Sequence, residues 1–477
     1  MESTFFYNLH GTLASNEQLH EMAQKLEASG AKYLLLQLQE GQYAMTDSEL
    51  RRLQNVQSDS GASMVYANYR ERVSSDGGKS LSAMDLIDYQ FGSLRDDFDF
   101  GPLVLLSASA VLEADGFVMG DWVDEEDAMS YKANLRFAAW YQLRLILSLR
   151  ALPLHLNEYG YTFEAARADA ATSEDKQFAY VNPRNREVQI EYEQVVTQHL
   201  RDLDALIDAQ QLLNSADLVA TGNDGKNEDN GIVASVVIPV FNRVRTVRDA
   251  VQSALSQQTD FAFNVIVVDN HSTDGTTEAL SELARQDARV CHIVPEEDTL
   301  LIGGCWNKAV ASERCGKYVV QLDSDDMYSS PQTLQQIVDA FREQDCMAVV
   351  GSYSLTDFEL RPLPPGLIDH KEWTPENGMN NALRINGLGA PRAFRRDLLL
   401  AHPLPNTSYG EDYAAMLRIS REYRIGRIYT SLYNCRRWTG NSDAALSRDK
   451  VNRNNYYKDS IRSIELQARM LLNSRKD

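Results

Sequence analysis

The chain has 477 residues, 43% of them hydrophobic and 9% aromatic, which is enough for two large domains or three small ones with well-filled cores. Its formal charge of −21 argues against nonspecific binding to nucleic acid or anionic lipid, because the overall field repels phosphate. The amino terminus lacks a secretory pattern, no apolar run reaches the ~18 residues of a membrane span, and the five cysteines lack metal-site spacing. We therefore expect a soluble protein of the reducing cytoplasm.

Residues 1–185 predict an α/β domain whose pattern recurs later in the chain. The segment "AKYLLLQLQEGQYAMTDSELRRL" is similar to "GKYVVQLDSDDMYSSPQTLQQI". Tyr33 aligns with Tyr318 and Tyr43 aligns with Tyr328, at a constant offset of 285 residues. Three further pairs of segments match in the same order, and an ordered series indicates a duplicated unit. An unrelated α/β domain is the alternative.

Residues 186–230 predict a long amphipathic helix followed by a polar linker. Apolar residues recur at roughly helical spacing at Ile190, Val195, Leu200, Leu203 and Leu206. The next stretch, "SADLVATGNDGKNEDNG", is rich in Gly, Asn and Asp, as linkers are. A second domain over 231–445 and a C-terminal helix over 446–477 complete the predicted organisation.

The region after the linker predicts alternating strands and helices. "ASVVIPV" and "FNVIVVD" are β-branched runs typical of strands, and Val247, Ala250, Val251 and Leu255 between them share one helical face. A third strand, "KYVVQL", follows. Ligands gather at the carboxyl ends of strands in open α/β sheets, so we expect "IPVFNR", "VVDNHSTDGT" and "QLDSDD" to meet at one crevice.

Asp323, Ser324, Asp325 and Asp326 follow the third strand and give the clearest chemical signal. Carboxylates two residues apart at a strand end point to the same side, and hard oxygen ligands suit Mg²⁺ or Mn²⁺, which bridge to substrate phosphates. A solvated acidic turn is the competing interpretation, and it would be preferred for an isolated D-x-D. The buried strand before it and the two neighbouring loops favour a metal site.

Five motifs in order resemble those of a known family. "SVVIPVFNR", "VIVVDNHSTDGT", "GGCWNKAV", "GKYVVQLDSDDMY" and "YGEDYAAMLRISREY" resemble the motif series of family-2 glycosyltransferases of the GT-A fold. The resemblance implies a Rossmann-like, mostly parallel α/β sheet over 231–445, and it makes the first half a degenerate half GT-A unit. It also implies inverting transfer of a sugar from a UDP- or GDP-linked donor to an acceptor hydroxyl, with Mn²⁺ or Mg²⁺ as cofactor.

The resemblance assigns roles to individual residues. Asp323 and Asp325 hold the metal, and Glu411 and Asp412 match the catalytic E-D pair, whose aspartate resembles the base. The implied donor-binding residues are Pro239, Phe241, Asn242, Asp269, Asn307, Asp323, Ser324 and Asp325. The implied acceptor-side residues are Trp373, Arg437 and Trp438.

Several of these assignments have structural alternatives. Asp269 could cap the turn that follows it, and Asp412 could be the carboxylate that favours a helix start. Trp373 could belong to the core. The chain has Asn434 where processive members of the family carry Gln, which favours a non-processive enzyme, in glycan or glycoconjugate synthesis of the bacterial type.

The first half departs from the pattern, since Leu38 and Glu40 stand where the echo would place the two aspartates. The sequence therefore predicts no metal or nucleotide site in the first half of the chain. The acceptor stays open between a lipid-linked glycan, a protein and a small molecule, and so does homo-oligomer formation. A non-catalytic nucleotide-sugar-binding or scaffold protein is the main alternative. A sugar nucleotidyltransferase is a weaker one, because "IPVFNRVRT" lacks the glycine-rich phosphate loop.

Overall fold

The chain divides into two compact units. The computed structural model describes residues 3–8, 13–75, 78–119, 134–166, 182, 185–214, 231–441 and 446–475. Unit 1 contains Met1–Tyr180, Asn185–Leu206 and Ser447–Asp477, and unit 2 contains Val181–Arg184 and Ile207–Leu446. Most of the predicted linker lies outside the described residues. No helix within those residues is both long and apolar enough to cross a bilayer.

Unit 1 is built on one mixed sheet with helices on its faces. Its strands are β1 (Thr4–Asn8), β2 (Tyr33–Gln37), β3 (Gly41–Ala44), β4 (Met64–Ser75), β5 (Gly78–Met84), β6 (Leu103–Ser107) and β7 (Leu154–Ala165). Its helices are α1 (Asn16–Ser29), α2 (Asp47–Ser60), α3 (Ala108–Met119), α4 (Ala139–Arg150), α5 (Arg186–Asp202) and the C-terminal helix Arg448–Asn473.

The alternation of side chains along β2 gives unit 1 a core on each face of its sheet. Leu34 and Leu36 pack in the larger core, which includes residues of α1, α3 and α4. Tyr33 and Leu35 pack in the smaller core, with Leu53 of α2. The capping boxes that begin α1 and α2 supply side-chain partners for the first amide groups of both helices.

Both helices that the sequence analysis set apart from the first domain belong to unit 1. In the C-terminal helix, the buried carboxylate of Asp459 pairs with Arg462 at 2.8 Å and with Arg95 at 3.4 Å. Such buried pairs are costly to break, which ties this helix to the rest of unit 1. In α5, Val195 and Leu200 are buried as predicted, but Ile190 is 46% exposed.

Unit 2 has a larger mixed sheet. Its strands are β8 (Ala234–Val240), β9 (Phe263–Asp269), β10 (Val290–Ile293), β11 (Tyr318–Gln321), β12 (Met327–Tyr328), β13 (Ala348–Thr356), β14 (Pro362–Ile368), β15 (Arg392–Arg395) and β16 (Ile425–Arg436). Its α-helices are α6 (Val247–Leu255), α7 (Thr276–Gln286), α8 (Ile302–Ala311), α9 (Thr333–Glu343), α10 (Gly378–Asn381), α11 (Arg396–Ala401) and α12 (Glu411–Glu422). The α/β fold class predicted from the sequence is confirmed.

The strand order in unit 2 is β10-β9-β8-β11-β15-β13-β16-β12, with β14 paired to β13. The first four strands run parallel, so the carboxyl ends of β8, β9 and β11 share one edge. Beyond them β15 runs antiparallel to both of its neighbours. Six of the nine strands in the described part of unit 2 therefore run in one direction, in keeping with the mostly parallel sheet that the resemblance implies.

The two sheets share a strand order. In unit 1 the order is β1-β2-β6-β4-β7-β3 with β5 on β4, and in unit 2 it is β8-β11-β15-β13-β16-β12 with β14 on β13. The relative directions of neighbouring strands also agree, pair by pair. The sequence echo falls on the matching strands β2 and β11, which supports the proposal of a duplicated unit.

Candidate active site

A crevice of about 490 Å³ opens at the carboxyl ends of β8, β9 and β11. The loops after these strands all contribute to its lining, as the sequence analysis expected. The strand β15 and the start of α12 complete it on the other side. The lining includes Phe241, Asn270, Asp323, Asp325, Arg392, Glu411 and Asp412.

Backbone and side-chain hydrogen bonds tie the loops after β8 and β9 together. Asn242 has a φ of 52°, and its side-chain oxygen accepts from the amide of Thr273 at 2.8 Å. Its own amide donates to the hydroxyl of Ser272 at 2.9 Å. Asn242 thus shapes the crevice from behind, whereas Pro239 and the 54% exposed Phe241 face it directly.

Asp269 does not reach the crevice, contrary to the donor-binding role implied for it. Its carboxylate is fully buried and accepts from the amide of Ser272 at 3.1 Å and the hydroxyl of Thr277 at 2.5 Å. Burial alone would raise the pKa of Asp269, but the nearby His292 ring, at 3.4 Å, and the hydrogen bonds from Ser272 and Thr277 outweigh it and lower the pKa. The alternative in which it caps its turn describes the structure better, and Asn270 lines the crevice instead.

Asp323 is held firmly at the floor of the crevice. One of its carboxylate oxygens accepts from the side-chain amide of Gln321 at 3.0 Å, and its backbone amide donates to the hydroxyl of Tyr433 at 2.9 Å. The Asp323 residue is exposed to solvent in the crevice, and the negative charge of Asp325 lies near it. The neighbouring Asp326 turns inward and accepts from the backbone amide of Arg436 at 2.7 Å.

Asp325 meets the segment that follows β16. Its Oδ2 accepts from the indole of Trp438 and from the side-chain amide of Asn441, both at 3.2 Å. The guanidinium of Arg243 lies 3.9 Å from the same oxygen. The R-W segment predicted at the rim therefore contacts the second aspartate of the D-x-D directly, and Arg437 also lines the crevice.

Glu411 and Asp412 begin α12 after Gly410, whose φ of 77° suits glycine. One oxygen of Asp412 accepts from the amide of Tyr413 at 2.7 Å, and the other pairs with Arg392 at 2.7 Å. Glu411 is 9% exposed, and burial followed by the charge of Asp412 raises its pKa to about 8. The two neighbouring carboxyl groups thus have different surroundings.

Two predicted site residues lie away from this crevice. The side-chain amide of Asn307 donates to the carbonyl of Leu404 at 2.8 Å and accepts from its amide at 2.9 Å, so it joins α8 to the chain before α12. Trp373 is 4% exposed and lines a separate cavity of about 680 Å³ together with Arg427. Trp373 therefore does not line this crevice, and the acceptor contact predicted for it stays a prediction.

Arg392 and Gln321 are site residues that the sequence analysis missed. The Gln321 side chain donates to Asp323 and also accepts from the backbone amide of Arg392 at 3.1 Å. It thereby links the D-x-D to β15, the strand that carries Arg392, the ion-pair partner of Asp412. Alternation along β15 places Arg392 and Phe394 in the crevice wall and turns Arg395 away. That alternation was the available signal, but the segment was not recognised as a strand.

The carboxylates of the crevice fit a divalent cation that shares its coordination with substrate. The described residues contain no group of three or more His, Cys, Asp or Glu side chains that could hold a metal ion. Mg²⁺-type sites commonly use one or two carboxylates and complete their shell with phosphate and water. A cation at Asp323 and Asp325 would also offset the repulsion between these two carboxylates.

Comparison with known proteins identifies a family for the segment that supplies most of the crevice lining. Residues 235–399 match the model of glycosyl transferase family 2. This segment belongs to that family. The chain is 29% identical over 151 residues to the putative teichuronic acid biosynthesis glycosyltransferase TuaG of Bacillus subtilis strain 168, covering 32% of this chain and 58% of that protein. It is 29% identical over 161 residues to glycosyltransferase AglD of Haloferax volcanii, covering 32% and 24%.

The chain thus spans 58% and 24% of the lengths of these two relatives. Among solved structures it is similar to S. aureus TarS 1–349 in complex with UDP-GlcNAc, with a TM-score of 0.40 and 20% identity over 48% of this chain and 66% of that chain. The family 2 segment contains the D-x-D and Arg392, whereas Glu411 and Asp412 lie beyond its last matched residue.

Proposed function

We propose that unit 2 is a glycosyltransferase that moves a sugar from a nucleotide sugar to an acceptor hydroxyl, with inversion at the sugar carbon. One observation carries the proposal: Asp323, Asp325 and Asp412, from segments about ninety residues apart, line a single crevice. The family match of the segment that supplies two of them supports the same reaction class.

Asp325 and Asp323 would hold the metal, Mn²⁺ or Mg²⁺, together with the diphosphate of a UDP- or GDP-linked donor. The metal, when bound, supplies positive charge that neutralises the leaving diphosphate. The chain's own residues orient the donor around it. Phe241, exposed at the crevice mouth, offers a flat apolar surface to a nucleobase, and Ser324 lies beside the two ligands.

Asp412 would act as the general base. It would accept the proton of the acceptor hydroxyl while that oxygen bonds to the sugar carbon and the bond from that carbon to the diphosphate breaks. A single displacement of this kind inverts the configuration at the carbon. The ion pair with Arg392 fixes one oxygen of the carboxylate, so the base works by placement rather than by high basicity.

We further infer that the enzyme is non-processive and serves glycan or glycoconjugate synthesis, on the ground of Asn434 in place of the Gln of processive members. Unit 1 would carry no donor site. Its strand β2 leads to Leu38 and Glu40 where the matching strand of unit 2 leads to Asp323 and Asp325. A role in shaping the acceptor side or in oligomer formation remains for it.

The proposal is tested by measuring transfer and donor hydrolysis with a panel of UDP- and GDP-sugars, in Mn²⁺, in Mg²⁺ and in chelator. We expect turnover with one donor class, in metal only, and a single inverted anomer. Tight metal-dependent nucleotide binding without turnover, across a panel of acceptors, would instead indicate the non-catalytic binding protein. Retention of configuration would contradict the single displacement.

A further inference from the structure

Glu411 lies in the crevice beside the proposed base but differs from it in its contacts. Asp412 forms an ion pair with Arg392, at 2.7 Å from its Oδ2. Glu411 forms no such ion pair with the described residues, and its Oε2 is buried without a hydrogen-bond partner among them. A buried oxygen without a partner is costly, which marks this atom as one that a bound molecule would satisfy.

Close packing causes the burial of Glu411. The helix α8 presents Gly303 to it, and a Cβ at that glycine would lie 3.2 Å from the Cβ of Glu411 and 1.8 Å from the carbonyl oxygen of Pro405. Only glycine allows the backbone of α8 to come this near. The contact shields the side chain of Glu411 from water while its residue still lines the crevice.

The charges around Glu411 oppose its ionisation. From its own helix it faces Asp412, from the loop after β11 it faces Asp323, and from β15 it faces Arg392. The helix α8 packs Gly303 against it. Arg392 is already paired with Asp412, and a divalent cation at Asp323 would cancel the charge of that carboxylate, so the neighbouring Asp412 is the like charge that opposes ionisation of Glu411 in either case. Consistent with this arrangement, burial and then Asp412 raise the pKa of Glu411 to about 8.

We propose that Glu411 works as an uncharged carboxylic acid that donates a hydrogen bond to a sugar hydroxyl in the crevice. The inference rests on the proposed function, and it divides the two carboxyl groups between separate tasks. Asp412 carries the negative charge that accepts a proton, and Glu411 keeps its proton and positions a substrate. A second negative charge at Glu411 would repel the diphosphate, so the neutral form suits the site.

The activity test compares kcat/KM against pH for the wild type, Glu411→Gln and Glu411→Ala. The wild type should lose activity as pH rises through about 8, where Glu411 gives up its proton. Glu411→Gln keeps a donor group, so its loss at pH 7 should be roughly tenfold or less and its alkaline fall should disappear. Glu411→Ala should lose roughly a further tenfold, because each factor of ten is about 1.4 kcal/mol, the scale of one lost hydrogen bond.

The KM values distinguish the two sources of the hydroxyl. A rise confined to the KM of the nucleotide sugar assigns the contact to the transferred sugar, and a rise confined to the KM of the acceptor assigns it to the acceptor. The matched control is Glu422→Gln at the far end of the same helix, where the carboxylate pairs with Arg421 at 2.9 Å. Its pH profile should follow that of the wild type.

Two results would overturn the inference. One is a Glu411→Gln enzyme as inactive as Asp412→Asn, which would make Glu411 a second base. The other is an alkaline fall that survives in Glu411→Gln. If no donor or acceptor supports turnover, the proposed function fails, but the protonation of Glu411 is still decided by thermal unfolding. The melting temperature of Glu411→Gln should rise above that of the wild type by an increasing margin from pH 5 to pH 8, and a constant margin would refute the inference.

Discussion

The replacement of Glu411 by Gln gives the sharpest test of the site, because it changes the charge that the crevice can adopt while it keeps the size of the side chain. The ordinary pKa is 4.5 and the folded protein raises it to about 8, through burial and then through Asp412. A group with a raised pKa binds its proton more tightly in the folded state than in the unfolded state. Its contribution to stability is therefore complete below the unfolded pKa and is lost as pH rises through the folded one.

The size of the effect follows from the same two values. The difference between 4.5 and about 8 is about 3.5 units, and each unit corresponds to about 1.4 kcal/mol, so the full loss is about 5 kcal/mol. By pH 7 the accumulated loss is about 3 kcal/mol relative to the Gln variant, which does not titrate. For a domain of this size about 1 kcal/mol moves the melting temperature by about 2–4 °C, so the margin at pH 7 is about 6–12 °C.

The assay is thermal unfolding of the full-length chain and its Gln variant from pH 5 to pH 8.5 in matched buffers. Every other titrating group is common to both proteins, so the difference between the two melting temperatures isolates Glu411. We expect a difference that is smallest at pH 5, where the loss is only about 0.8 kcal/mol, and largest at pH 8 and above. A difference that does not change with pH would mean that Glu411 is ionised throughout, and the reasoning from its burial would be wrong.

Three further predictions concern the donor site, the base and unit 1. Asp325→Ala should weaken nucleotide binding in Mn²⁺ by roughly tenfold or more, or about 1.4 kcal/mol, and abolish its dependence on metal. Calorimetry with equal affinities in Mn²⁺ and in chelator for the wild type would reject the D-x-D assignment. Asp412→Asn should lower turnover by ~10² to 10⁴ and leave nucleotide affinity nearly unchanged, and retained turnover would move the base elsewhere. Glu40→Gln, an exposed change in unit 1, should keep turnover within about a factor of two, and a large loss of donor affinity would reveal a second site.

The strands around the crevice were predictable because their local signals agree with their tertiary surroundings. The runs Ala234–Val240 and Phe263–Asp269 form β8 and β9 over the predicted residues, since both strands are buried on two faces and read as continuous apolar segments. Strand β15 escaped prediction because its four residues include Arg392 and Arg395, a composition typical of a surface loop. Its place between β11 and β13 is a tertiary fact that no local pattern carries.

The site residues divide in the same way. Motif positions identified the segments that reach the crevice, but not the direction of each side chain. Asp269 ends a strand that leads to the site, yet hydrogen bonds from Ser272 and Thr277 draw its carboxylate inward and leave Asn270 at the surface of the crevice. Trp373 has the chemistry of a sugar platform, and only the packing around it shows that it is buried elsewhere.

The two units show why a shared strand order does not carry a shared function. At matching positions, Tyr328 pairs with Tyr433 in unit 2, while Tyr43 pairs with Phe163 in unit 1. The hydroxyl of Tyr433 accepts the amide of Asp323 and so anchors the first aspartate of the D-x-D, and a phenylalanine offers no such acceptor.

Unit 1 therefore differs at the acidic residue and also at the group that would hold it in place. Restoring the acid alone, by Leu38→Asp, would leave its backbone amide bonded to the carbonyl of Pro102, as it is now at 2.8 Å. The new carboxylate would also lack a neighbour equivalent to Gln321, because Leu36 occupies that position in β2. The chemistry of unit 2 thus depends on a supporting set of polar residues around the sheet end, and the sheet by itself provides only the place for them.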